Sequence, residues 1–188
     1  MKEHVEKIRV LIENFDEETL RTLDSITTVL DLKKGELLLQ QGEVCRKSYQ
    51  LVSGVARKFF ISEKKEITTE FFFKDDVALS FKSYLYQKPS AEIIECITDV
   101  QVEAVDYVSF EQIKRQNPQL MEYDILLTEL YNIWLEDRLF DFHVLSAKER
   151  YQSLLKKSPE YFHHIKLTHI ASYLGISLET LSRIRAKI

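Results

Sequence analysis

The strongest constraint on this chain is a change of period near residue 26. Residues 3 to 14 place Val5, Ile8, Leu11 and Ile12 at helical spacing, and Asp16 before Glu17-Glu18 offers an N-cap for a second short helix to about Leu23. From Ile26 to Tyr107 the spacing breaks into seven short β-rich runs: 26–32, 36–41, 48–52, 55–61, 67–73, 93–97 and 100–106. Turn signals separate them, among them Lys33-Lys34-Gly35, Gln41-Gly42-Glu43 and Ser53-Gly54. Such spacing predicts a small antiparallel barrel or sandwich, because closure removes exposed strand edges. With 20 Tyr and Phe and only 7 Gly and Pro in 188 residues, the chain has the apolar mass for a core.

After the strands the sequence turns helical again. Ser109 is placed to cap a short helix that stops at Asn117-Pro118. From Pro118 to about Leu145 no further Gly or Pro intervenes, which predicts one helix roughly 40 Å long at ~1.5 Å per residue. Leu120, Leu127 and Trp134 are spaced by seven and, with Leu130, trace part of a heptad seam, so these four are the expected dimer interface. Ser146-Ala-Lys-Glu149 reads as a capping box for the next helix, ending near Ser158-Pro159. The chain is therefore expected to follow an α+β plan: residues 1–117 a β-barrel domain with flanking helices, 118–145 a long dimerisation helix, and 146–188 a separate helical domain.

Charge separates the same regions. Residues 146–188 hold eight Lys/Arg against three Glu, leaving eighteen against twenty-seven acidic groups in the first 145 residues. An acidic body with a basic tail suits nucleic-acid binding. Within the tail, Thr168 is placed to cap 169–174, Gly175 to make a tight turn, and Ser177 to cap a last helix from Leu178 to Lys187. Ala171 is small where two helices must cross, and Ile176 and Leu181 fill the space between them, which together predict a helix-turn-helix. Glu179, Thr180, Ser182, Arg183 and Arg185 are then the candidates to meet DNA, since an Arg can grip guanine and a Glu can accept from cytosine.

On these residues the chain resembles the CRP/FNR family of bacterial transcription regulators. Leu32-Lys-Lys-Gly35, Leu51-Val-Ser-Gly54 and above all Glu179-Thr-Leu-Ser182-Arg183, an E-x-x-S-R of the FNR-like branch, carry the resemblance. It implies a cyclic-nucleotide-binding-like jelly roll and a homodimer on double-stranded DNA, at a palindromic site with a TTGAT-like half. It also implies RNA polymerase as a partner and a cytoplasmic location. Members commonly continue into a β-hairpin wing past the recognition helix. Either the wing is absent or the sequence stops short of it at Ile188, and fewer phosphate contacts are expected in both cases.

The effector end departs from the family. Cyclic-AMP-binding members carry a Gly-Glu pair and an Arg-Ser or Arg-Thr step that neutralises the cyclic phosphate. The corresponding stretches here, Phe73–Ser83 and Lys88–Ala91, have no Gly and no Arg, and Asp75-Asp76 would repel a phosphate. Cyclic AMP is not expected to bind. Neither the cysteine cluster of oxygen-sensing relatives nor a barrel His for haem is present, so no cofactor or metal is expected. The pattern resembles the cassette-degenerate members of Bacteroidetes-type bacteria, whose small-molecule effector is unknown. Lys82, Ser83 and Ser90 are the residues that could line a remnant pocket. Cys45 and Cys96 are expected as buried free thiols.

Two other classes are weighed. A cupin-like barrel enzyme would need inward His and carboxylate ligands, and no His lies between Val5 and Phe142. No catalytic motif appears. A ligand-sensing interaction module without DNA binding would not need the E-x-x-S-R. The first fifteen residues are crossed by charges and no long apolar run follows, so neither a signal peptide nor a membrane span is expected.

Overall fold

The computed structural model describes residues 2–187. Two helices, α1 (Lys2–Glu13) and α2 (Glu17–Ile26), lead into eight strands. These are β1 (Thr27–Leu32), β2 (Leu37–Leu39), β3 (Lys47–Ser53), β4 (Ala56–Ser62), β5 (Lys65–Phe72), β6 (Val77–Ala78), β7 (Glu92–Cys96) and β8 (Val100–Asp106). A short helix, α3 (Phe81–Tyr86), lies between β6 and β7. Then come α4 (Tyr107–Lys114), the long α5 (Pro118–Val144), α6 (Ala147–Lys157), α7 (Tyr161–His164), α8 (Leu167–Tyr173) and α9 (Leu178–Arg185).

The strands form two four-stranded antiparallel sheets, ordered β1-β8-β3-β6 and β2-β7-β4-β5. Period-two alternation decides which side chains enter the core. In β8, Val100, Val102 and Ala104 point inward to meet Leu51, Ile94 and Phe72, while Glu103 and Val105 face out. At the β3–β4 turn Gly54 has φ +87°, and a Cβ there would collide with the Asp99 carbonyl. Both cysteines are buried and free.

The structure corrects several local expectations. The described residues form eight strands rather than seven, because the two-residue β6 follows a Phe73–Asp76 turn too polar to read as a strand; Asp76 Oδ2 accepts the Phe73 N–H at 2.8 Å. Asp106, not Ser109, caps α4, since its carboxylate accepts from the N–H groups of both Val108 and Ser109. Thr168 lies inside α8, whose N-cap is Lys166 with no side-chain bond. Asp16, Ser146 with Glu149, and Ser177 cap as their positions predict, and Asn117, read only as the end of the preceding helix, also caps α5.

The outer face of the β1-β8-β3-β6 sheet is covered by helices. Phe15, Phe110, Leu120 and Tyr123 form a buried cluster with Ile8, Leu23, Val105 and Leu127 around it. This reverses the expected role of the α5 seam. Leu120 and Leu130 are buried against their own chain, Leu127 packs in that cluster, and Trp134 stacks on Tyr131. A heptad stripe marks an apolar face but does not say whether the barrel or a second helix covers it. The exposed apolar residues of α5 are instead Ile125, Ile133, Leu135, Leu139, Phe140, Phe142 and Val144. At about 100° per residue most of these fall on the opposite side of the helix. Among the described residues no helix is long and apolar enough to cross a membrane.

Candidate nucleic-acid interface

The C-terminal helices fold around Leu181, Ile170 and Leu174, all almost fully buried. Ala171 is buried where α8 crosses α9, and Ile176 packs on the same cluster. Gly175 takes φ +67°, and a Cβ on it would approach Phe142 of α5 to 2.8 Å. This glycine therefore serves the turn and also lets the turn press against the long helix.

On α9 the side chains of Glu179, Ser182, Arg183 and Arg185 are exposed, and Thr180 is half-buried. Their roles differ. Glu179 and Arg183 are four apart and share a face, with Ser182 beside them, whereas Arg185 lies toward the flank. The Arg183 guanidinium donates to Thr180 Oγ1 at 3.1 Å. That hydroxyl also accepts from Ser177 Oγ at 3.1 Å, and the Ser177 hydroxyl caps the helix by accepting the Thr180 N–H. Thr180 thus holds Arg183 in position. The α9 N-terminus adds a partial positive charge on the same side.

Three contacts that the sequence did not suggest set the pose of this unit. Arg138 of α5 donates to the Tyr173 carbonyl at 2.7 Å and stacks on the Tyr173 ring at 3.5 Å. Arg150 of α6 donates to the carbonyls of Leu174 and Leu145. Ser172 of α8 accepts the Thr68 N–H and donates to the Glu66 carbonyl, both at 2.9 Å, closing the free edge of β5. Beneath that contact lies Arg57, 3% exposed, paired to Glu66 at 2.5 Å and to Glu95 at 2.8 Å. His169 faces the same network with its Nδ1 buried and unbonded among the described residues; burial, then Arg57, holds its pKa below the usual histidine value. One hint was legible: Arg57 sits on a strand opposite other charged positions, which is unusual unless something covers it.

The stretches that correspond to the cyclic-phosphate cassette, residues 73–83 and 88–91, are built differently together with the strands beneath them. Ser83 Oγ accepts the Cys45 N–H and donates to the Lys88 carbonyl. Ser90 Oγ donates within a cluster with Ser80, and Ser80 donates to Glu92 at 2.5 Å. Lys58, almost fully buried on β4, lies 2.6 Å from Glu70 across the strand pair. Burial opposes the Lys58 charge, but Glu70, Tyr131 and Glu92 outweigh it and keep the ammonium protonated well above the usual lysine range. Of the expected pocket residues, Ser83 and Ser90 have their hydroxyls engaged internally and Lys82 is exposed; none lines the cavity between the barrel and α5. Among the described residues no group of three or more His, Cys, Asp or Glu is placed to hold a metal ion.

No family model matches the chain. It is similar to the transcriptional activator protein Anr of Pseudomonas aeruginosa, with 26% identity over 182 residues, covering 88% of this chain and 74% of that one. The Anr of Pseudomonas protegens is 27% identical over 165 residues, covering 81% and 67%. FixK2 from Bradyrhizobium japonicum superposes with a TM-score of 0.74 at 22% identity, over 86% of this chain and 84% of that one. A protein from Eubacterium rectale assigned to the CRP/FNR transcriptional regulators superposes at 0.73 with 18% identity, over 93% and 83%. The two structures speak to the fold.

Proposed function

We infer that this chain, a CRP/FNR-type regulator by its fold and its sequence relatives, binds double-stranded DNA as a two-fold dimer and reads sequence through α9. The observation that carries the reading is the exposed face of Glu179, Ser182 and Arg183 on a capped helix, with the guanidinium held by Thr180. Arg183 in the major groove presents paired donors that match guanine O6 and N7, and Glu179 can accept from cytosine N4. Arg185, at the flank, suits a phosphate.

Dimerisation uses the face of α5 turned away from the barrel, with Ile125, Ile133, Leu139 and Phe140 at its centre. Two antiparallel half-sites about one helical turn apart follow from that symmetry. Residues 1–117, 118–145 and 146–188 act as sensor, dimer rod and reader. The relatives are named activators, so a contact with RNA polymerase and a cytoplasmic setting complete the reading. Selection of bound oligonucleotides from a random pool at fixed salt tests it. Enrichment of a palindrome with a TTGAT-like half is expected; absence of any enriched sequence overturns it.

A further inference from the structure

A cavity between the barrel and α5 adjoins the cassette interior, where Lys58, Glu70, Ser80, Ser90 and Glu92 already engage one another, and Glu70 stands on the border of both. The cavity runs for about 330 Å³ from the barrel mouth at Phe72 and Leu79, along the outer face of β3 and β8, under α5. That volume is in the range of small-molecule sites. Its walls are mainly apolar, with Leu23, Val105, Phe110, Leu127, Leu130 and Trp134 supplying the body. The α5 residues among them face the barrel, so pairing through the opposite face of α5 leaves the cavity in place.

Its charge is one-sided. Glu70, held by Lys58, and Asp75, Asp76, Glu103, Glu111 and Asp124 all border it, and Lys114 is the one cation among the described lining residues. Lys114 is already engaged, 2.5 Å from Glu111 and 2.6 Å from Asp124. Glu103 forms no ion pair among the described residues, and its cross-strand neighbour Gln50 is neutral. An anion entering would meet Glu103 and Asp75, which form no ion pair among the described residues, over low-dielectric walls, where repulsion is poorly screened. A cation would meet the reverse.

We propose that this cavity is a binding site for a small lipophilic cation, an apolar body carrying one protonated amine, with Glu103 facing the ammonium. That such binding alters DNA affinity rests on the function proposed above; the binding itself does not.

Trp134, the chain's single tryptophan, lines the cavity and reports on it directly. The full chain, without DNA, is titrated with octylamine, octanol and octanoate while Trp134 emission is followed. A saturable change with octylamine is expected, with octanol weaker and octanoate at least about tenfold weaker than the amine, in line with charge pairing at intermediate dielectric. Glu103→Gln should weaken octylamine about fivefold and leave octanol unchanged, and Thr128→Phe, which fills the cavity, should weaken both. Octanoate binding as tightly as octylamine, or no saturable change with any of the three, overturns the proposal. The three-ligand comparison needs no variant and holds even if one fails to fold. Because no DNA is present, its outcome is separate from that of the oligonucleotide selection.

Discussion

The two polar sites of this molecule handle their hydrogen bonds in opposite ways. On α9 the side chains that could meet a partner are exposed, and among the described residues the one side-chain bond to the Arg183 guanidinium comes from a neighbour that orients it. In the cassette the serines and Lys58 are buried and bonded to groups of the same chain. A site that keeps its donors free is built to meet something; one that satisfies them internally is built to hold shape. By this criterion α9 is the open end of the chain and the cassette the closed one.

The largest effect expected from breaking this contrast lies in the closed site. Lys58→Met leaves Glu70 buried without its cation, and removing one partner of a buried pair costs about 3–5 kcal/mol. Urea unfolding should therefore show a large loss of stability, and the double variant Lys58→Met with Glu70→Leu should recover most of it. If the single variant cost under about 1 kcal/mol, the pair would be solvated and the cassette not closed.

Next comes the open site. Arg183→Ala should cost about 1–3 kcal/mol per half-site and relax preference at one base pair, with stability nearly unchanged because the side chain is exposed. Competition against single-base operator variants measures it. A uniform loss across all variants would make Arg183 a phosphate anchor and move readout to Glu179 and Ser182.

How much of this was legible in the sequence follows the same division. The helix α9 could be placed because its signals are local: a serine cap, a glycine turn, and two plugs at fixed spacing. Seven of the eight strands showed for the same reason. The α5 seam was misplaced because both faces of that helix are apolar, and only the packing of Leu120 and Leu127 under α4 decides which one meets the barrel. The Ser172 bridge to β5 joins residues 104 apart in sequence and the Arg138 clamp residues 35 apart, and no local pattern reports such partners. The cassette's missing Gly and Arg were visible, but not that Lys58 and Glu70 fill the space.

A third test concerns the rim between the two sites. Burial pushes the Asp76 carboxyl up to about 7, from about 4 in an unfolded chain. The folded state thus holds the proton more tightly, so this contribution is fully present below about pH 4 and is lost as pH rises to about 7. Asp76→Asn keeps an acceptor for the Phe73 N–H and removes the charge. It should raise stability at pH 8 by about 1–2 kcal/mol, less than the full shift implies because the group is partly solvent-accessible, and should have little effect at pH 4. Equal effects at both pH values would mean that Asp76 titrates normally.

The smallest expected effect separates reading from positioning within α9. Thr180 is half-buried, and its hydroxyl accepts from both Ser177 and Arg183, so it acts on DNA through Arg183. Thr180→Val preserves shape and β-branching while deleting that acceptor, and should weaken specific binding by roughly 0.5–1.5 kcal/mol, the net worth of one hydrogen bond. The base pair whose preference relaxes should be the one that Arg183→Ala affects. A double-mutant cycle decides the matter, because residues acting through one another are not additive. With Arg183 already replaced by alanine, Thr180→Val should have almost no further effect on affinity. Full additivity, or loss of preference at a different base pair, would show that Thr180 meets DNA itself, and the division between an oriented reader and its support would fall.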